Sequence, residues 1–130
     1  MRAQAALRVT FCAALLVAAA PLVDAADPAS TQQHGHEVFA HWCAPCHAPV
    51  SGDEHLPGTS TLQALYHGTK PAALEQRHDL TPALVEFYVR HGDNAMPWFR
   101  RTEISDADLM ALAAYLSRNN AGIVPQASNR

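Results

Sequence analysis

The sequence predicts an all-α fold in which helices alternate with long loops. Apolar or small residues recur at helical spacing, as at Gly35, Val38, Phe39 and Trp42, and no segment alternates apolar and polar residues as a half-buried strand does. The 130 residues suffice for one ordinary domain. A net charge of −3 argues against nucleic acid as a partner, because phosphate-binding proteins carry a basic excess.

The first 25 residues have the pattern of a secretory signal peptide. Two arginines precede a nearly continuous apolar run over residues 9–20, and small side chains surround a cleavage position after Ala25. The run is shorter than the roughly 20 residues that a spanning helix needs, which disfavours the alternative of an uncleaved membrane anchor. We therefore expect an exported, periplasmic domain of residues 26–130 without stable membrane insertion. Cys12 is removed with the signal.

The first helix of that domain leads into a motif with two cysteines. Ser30 or Thr31 is a suitable N-cap, and the helix runs towards residues 43–47, Cys-Ala-Pro-Cys-His. Residues 48–58 are rich in turn-forming types, so this segment is expected to be irregular. Ser60 then caps a short helix, and one more helical turn is expected over residues 69–74.

The last two helices have clear start and stop signals. Thr81 precedes a proline at the first helical position, and Gly92 ends that helix. Ser105 and Asp108 resemble a capping box that starts the final helix. Residues 93–101, between these helices, are expected to form a loop. The apolar stripe of the final helix consists of Leu109, Leu112, Ala113 and Leu116.

Cys43, Cys46 and His47 form a C-x-x-C-H segment, the attachment motif of haem c. The two thiols add to the vinyl groups of one porphyrin, and the imidazole of the adjacent histidine ligates the iron. The motif therefore predicts one covalently bound haem c, attached through Cys43 and Cys46 and ligated by His47.

Three other interpretations of the cysteine pair fit the sequence less well. Trp42 before the pair fits a thioredoxin-type thiol–disulfide oxidoreductase, but that fold places a strand before Cys43 and a continuing helix after Cys46. A zinc site needs two more ligands at short spacing, and no second C-x-x-C exists. A disulfide between residues three apart closes a very short loop with little entropic benefit.

Met96 is the favoured second axial ligand, because thioether sulfur commonly partners histidine in electron-transfer haems. Met96 lies in a loop before a proline, whereas Met110 lies within the last helix and is expected to fill the core. His91 or His67 would supply a bis-histidine alternative. Other histidines are expected to be solvated, namely His34, His36, His41, His55 and His78.

With these residues in view, the chain resembles the small Class I monohaem c-type cytochromes over residues 31–118. The resemblance implies the Class I cytochrome c fold, in which helices and long loops wrap around one covalently bound haem. It also implies that the first and last helices cross, with Gly35, Phe39 and Tyr115 at the positions that pack there in the family. In the family a proline carbonyl holds the other ring nitrogen of the proximal histidine, and Pro57 is the matching residue.

A finer resemblance points to cytochrome subunits of periplasmic flavoproteins that oxidise phenols, of the cresol methylhydroxylase and eugenol hydroxylase types. The matching segments are 57–59, 71–82 and 94–99. The resemblance implies that a flavoprotein dehydrogenase subunit is the redox partner.

The basic residues depart from the mitochondrial-type cytochromes c, which ring the haem edge with lysines. This chain has one lysine, Lys70, so steering towards a partner must use another surface. Arg77, Arg100 and Arg101 are candidates for that surface, for contacts with the haem propionates, or for simple solvation.

The main hypothesis is therefore a periplasmic one-electron carrier rather than an enzyme. It accepts electrons from a dehydrogenase and passes them to a further acceptor. The haem wall is expected to include Leu62, Tyr66, Val85, Trp98 and Phe99. A haem enzyme or sensor with an open distal site, and a thiol–disulfide oxidoreductase using Cys43 and Cys46, are the alternatives.

Overall fold

A computed structural model of the protein describes residues 27–52 and 54–122, so the predicted signal peptide lies outside the described residues. These ranges contain helices and no strand, with one isolated bridge between Asp93 and Met96. The predicted all-α fold class is confirmed. None of the helices in these ranges is both long and apolar enough to cross a bilayer. The helices are α1 Pro28–Trp42, α2 Ala44–His47, α3 Pro57–Tyr66, α4 Pro82–His91 and α5 Asp106–Ser117, with a 3₁₀ turn at Leu74–Gln76.

Helices α1 and α5 cross at Gly35, and this crossing organises the core. A Cβ atom at position 35 would overlap the Ala111 carbonyl oxygen and lie 2.6 Å from Cβ of Tyr115. Phe39 is buried one turn further along α1 and lies 6.0 Å from the Tyr115 ring, centroid to centroid. The packing of these three residues agrees with the family resemblance. The largest fully buried side chains are Phe39, Ile104 and Leu112.

Two helix starts differ from the sequence prediction. Asp27, rather than Ser30 or Thr31, caps α1 by accepting the Ala29 N–H, because Pro28 at the first position starts the helix earlier. Helix α3 begins at Pro57, three residues before the expected cap at Ser60. In both cases a proline at the first helical position marks the true start. The expected helical turn over 69–74 is replaced by the 3₁₀ turn, which begins at residue 74.

The ends of the later helices agree with prediction. The Thr81 hydroxyl accepts the N–H of Leu84 at 3.1 Å, and Gly92 follows α4 with φ of 69°. Ser105 and Asp108 form the capping box of α5. All four residues of the predicted apolar stripe of α5 are buried. Met110 is 65% exposed and is not a core residue, because it lies on the opposite side of that helix.

Candidate functional site

The cysteine motif forms a single helical turn. The N–H groups of Cys46 and His47 both donate to the Cys43 carbonyl, at 3.0 and 2.8 Å. This turn brings Cys43 and Cys46 to neighbouring positions on one side of α2, because residues three apart in a helix are neighbours. Cys43 is buried, Cys46 is exposed, and both carry free thiols. Two thiols one turn apart, followed at once by an imidazole, suit attachment to one porphyrin.

The electrostatics of Cys43 argue against thiol–disulfide chemistry. Burial, together with the neighbouring Cys46, raises the pKa of the Cys43 thiol to about 12. Reactive cysteines of oxidoreductases have lowered pKa values, because the thiolate is the nucleophile. A strand that would lead into Cys43 in a thioredoxin fold is also absent from the described part of the chain, where α1 occupies that position.

The His47 ring is packed against the start of α3. A Cβ atom at Gly58 would lie 2.6 Å from His47 Cε1 and 2.7 Å from His47 Nδ1, so only glycine permits this approach. The next residue, Thr59, is 2% exposed and donates from its hydroxyl to the Ala48 carbonyl at 2.8 Å. Gly58 and Thr59 therefore fix the ring and the backbone that follows it.

The predicted hydrogen bond from His47 to the Pro57 carbonyl is not formed. His47 Nδ1 is buried and has no hydrogen-bond partner among the described residues. The Pro57 carbonyl instead accepts the Thr61 hydroxyl at 2.8 Å, because Pro57 is the first residue of α3 and its carbonyl lies along that helix. Burial lowers the pKa of His47, which favours the neutral imidazole that ligates metals.

Met96 is held in a short turn after α4. Asp93 and Met96 exchange two backbone hydrogen bonds, at 3.1 and 2.8 Å, and Met96 is half-buried. Gly92 has a positive φ and a Cβ there would lie 2.6 Å from the Met96 carbonyl oxygen, so this turn requires glycine. Further along, the Phe99 N–H donates to the Val89 carbonyl of α4 at 2.8 Å. The predicted loop is therefore anchored on both sides of Met96.

A pair of aromatic rings joins the methionine loop to the cysteine motif. Trp42, the residue before Cys43, meets Phe99 edge-on with ring centroids 5.7 Å apart. The structure thus brings the segment that contains Met96 next to the segment that contains Cys43 and His47, although 49 positions separate the two candidate iron ligands in the sequence.

The other predicted site residues fall into distinct groups. Of the expected haem-wall residues, Val85 is buried, whereas Trp98 is 60% exposed. Leu62, Tyr66 and Phe99 are half-buried. His91 is exposed, stacks on Phe87 and contacts the Phe87 carbonyl, and His67 is exposed in a left-handed conformation after α3. The five histidines expected to be solvated are all exposed.

The three arginines left open by the sequence all have protein partners. Arg77 is buried, binds Asp79 through two nitrogens at 2.6 and 2.7 Å and donates to the Tyr66 hydroxyl. Arg100 pairs with Glu103 and Arg101 with Asp106. The single lysine, Lys70, also binds Asp79. Free positive charge is therefore scarce among the described residues.

The sequence prediction gave no role in the site to three residues that shape it: Gly58, Thr59 and Arg90. Arg90 donates to two carbonyls of the loop that contains Met96. A glycine and a threonine directly after Pro57 were a usable signal for a helix start packed against the motif. Arg90 offered none, because its partners lie nine to sixteen residues further along the chain.

The residues present fit a covalently attached haem c. Two free thiols lie one turn apart, the neighbouring imidazole has a buried nitrogen without a partner, and a thioether lies in an anchored loop beside them. No separate cluster of three His, Cys, Asp or Glu side chains suited to a metal ion occurs in the described ranges.

Comparisons with known proteins agree with this fit. The family described as cytochrome C oxidase, cbb3-type, subunit III matches residues 30–116. Cytochrome c6 of Thermosynechococcus vestitus is 35% identical over 103 residues, covering 79% of this chain and 80% of that protein. Cytochrome c6 of Cyanidium caldarium is 34% identical over 91 residues, covering 69% and 73%. No solved structure matches significantly. The chain therefore belongs to the cytochrome c family, whose members carry covalently bound haem c, and like its cytochrome c6 relatives it is an electron-transfer protein rather than an enzyme.

Proposed function

We propose that this protein is a one-electron carrier in which Cys43 and Cys46 attach one haem c and His47 and Met96 ligate its iron. The observation that carries the proposal is the contact between Trp42 and Phe99, which places the methionine loop beside the attachment turn. When bound, the haem supplies an iron that cycles between Fe(II) and Fe(III). With two protein ligands the iron has no open position for a substrate.

The protein's own residues hold the two ligands in place. Gly58 lets α3 pack directly against the His47 ring, and burial lowers the pKa of His47, which favours the neutral form that can ligate. Gly92 and the mutual Asp93–Met96 hydrogen bonds fix the backbone of the second ligand. Ligands that are held before the electron arrives need little rearrangement when the charge of the iron changes.

Substitution of Met96 tests the ligand assignment, with Met110 as a matched control. Met96→Ala is expected to abolish the weak sulfur-to-iron absorption band at the red end of the oxidised spectrum. It is also expected to lower the reduction potential, because a His/Met pair raises it. Met110→Ala removes an equally large thioether from an exposed site and should change neither. An unchanged spectrum and potential in Met96→Ala would refute the assignment and favour His91 or His67.

We further propose that the electron donor is a periplasmic flavoprotein dehydrogenase that oxidises phenolic substrates. The segments 57–59, 71–82 and 94–99 support this partner, as does the sparse free positive charge. Since Lys70, Arg77, Arg100 and Arg101 are paired with acids, docking should rely on apolar contact and shape more than on attraction of these basic residues to an acidic partner. Export is part of this proposal and predicts that the protein in the periplasm begins at residue 26.

Reduction kinetics test the partner. The oxidised cytochrome is mixed with a purified flavoprotein of this class and a phenolic substrate, and reduction is followed in a stopped-flow instrument. We expect rapid reduction with a rate that does not fall steeply as salt is raised, because little unpaired positive charge is available to steer this protein towards an acidic partner. Failure of reduction, or a rate that falls steeply with salt as in a lysine-steered complex, would contradict the partner proposal.

A further inference from the structure

Arg90 lies at the C-terminal end of α4 and donates hydrogen bonds to the loop between α4 and α5, which contains Met96. Its side chain is 18% exposed, whereas that of Arg101 is 75% exposed. A cation at a helix C-terminus is also favoured by the partial negative charge of the last carbonyls. Arg90 therefore occupies a sheltered position close to the turn that begins at Gly92.

The guanidinium of Arg90 joins two carbonyls of the loop to the start of α5. Nη1 donates to the Phe99 carbonyl at 3.1 Å and to the Ile104 carbonyl at 2.9 Å. Nη2 donates to the carboxylate of Asp106, the first residue of α5, at 2.9 Å. A planar fork with several fixed donors is suited to such a junction, and a lysine is not.

These bonds act on the segment that contains Met96 from its C-terminal side. Both backbone groups of Phe99 are bound to α4, the N–H by the Val89 carbonyl and the carbonyl by Arg90. On the N-terminal side Met96 is bound to Asp93. Only two residues, Pro97 and Trp98, lie between the Met96 turn and the Phe99 anchor, so a shift of Phe99 would be transmitted to the methionine.

We propose that Arg90 is a positioning residue that keeps the Met96 sulfur on the iron. The inference rests on the proposed function, because it assumes Met96 as a ligand. Without Arg90 the loop loses two charge-assisted hydrogen bonds, and the bond to Asp106 of α5 is also lost, but no iron ligand is removed. The thioether then competes less well with an added ligand for the oxidised iron.

Binding of imidazole to the oxidised protein measures this competition. Arg90→Met keeps the apolar stem and removes the donors, and it is expected to bind imidazole about tenfold more tightly, the equivalent of about 1.4 kcal/mol. Its red-end absorption band should weaken. Arg101→Met is the matched control, since Arg101 also binds Asp106 but donates to no loop carbonyl, and its affinity should stay at the wild-type value. Arg90→Lys should also bind imidazole more tightly than the wild type, but by a smaller factor. It replaces Arg90→Met in the test if that variant fails to fold.

A double substitution separates positioning from a general loss of structure. If Arg90 acts through the methionine, Arg90→Met should have no further effect on imidazole affinity in a Met96→Ala background. An equal effect in both backgrounds, or an affinity unchanged in Arg90→Met and Arg90→Lys, would overturn the positioning role. Failure of the proposed function would be distinguishable, because Met96→Ala alone would then leave the red-end absorption band in place.

Discussion

The contact of α1 with α5 at Gly35 allows a quantitative prediction for Gly35→Ala. The added Cβ would lie 2.6 Å from Cβ of Tyr115 and 2.7 Å from the Ala111 carbonyl carbon. Since carbon atoms in contact are separated by about 3.5 Å, the helices must move apart by roughly 0.9 Å. The obstructing Ala111 atoms are backbone, so no side-chain rotation relieves the overlap.

The expected cost follows from this geometry. Overpacking a core costs about 1–3 kcal/mol, and a backbone clash belongs at the upper end. Alanine gains about 1 kcal/mol over glycine in a helix, which leaves a net loss of about 2 kcal/mol. For a domain of this size the midpoint of thermal unfolding should fall by about 8–16 °C.

Urea and thermal unfolding of the haem-loaded protein, followed by far-ultraviolet circular dichroism, measure this loss. Ala40→Gly is the matched control, because Ala40 is exposed on the same helix and reports the helix-propensity term alone, about 1 kcal/mol. The packing cost is the loss in Gly35→Ala plus that control value. A Gly35→Ala protein as stable as wild type, or more stable, would refute the close contact.

Three further predictions concern stability. Thr59→Val leaves the Ala48 carbonyl without its side-chain donor and should cost about 1–2 kcal/mol in urea unfolding. Ser105→Ala removes the cap of α5 and should lower the free energy of unfolding in urea by about 1 kcal/mol. An unchanged free energy of unfolding would show that the cap is dispensable. Arg77→Met removes the two hydrogen bonds to Asp79 and should lower the free energy of unfolding by about 2 kcal/mol near pH 7. Arg77 holds the pKa of Asp79 below its ordinary value of 3.8, so this pair stabilises the fold above that pH and progressively less below it. The difference between wild type and Arg77→Met should therefore narrow as the pH falls below about 4, and a pH-independent difference would exclude the pair as its source.

Much of the fold could be predicted because its signals are local. Thr81, Gly92 and the Ser105–Asp108 box mark helix ends through chemistry contained in a few neighbouring residues. The attachment motif is local for the same reason, since one helical turn contains it. Helices α1 and α3 start earlier than their Ser and Thr caps indicate, because several capping residues compete there and the prolines at 28 and 57 decide between them.

The parts that could not be predicted depend on contacts between distant segments. Arg90 reaches Ile104 and Asp106, and nothing in the spacing of a lone arginine indicates such partners. The family resemblance pairs the Pro57 carbonyl with His47, yet its position inside α3 directs it to Thr61. Met110 shows the limit of composition, because a methionine in an apolar helix can equally lie on its exposed side.

The central claim is that Met96 and His47 together would ligate the haem iron, and proton NMR of the haem-loaded, reduced protein tests it most directly. A methionine methyl group held over a porphyrin is shifted far upfield by the ring current. We predict one such three-proton resonance in the wild-type and Met110→Ala proteins and its loss in Met96→Ala. Absence of this resonance from the wild type, or its persistence in Met96→Ala, would contradict the account.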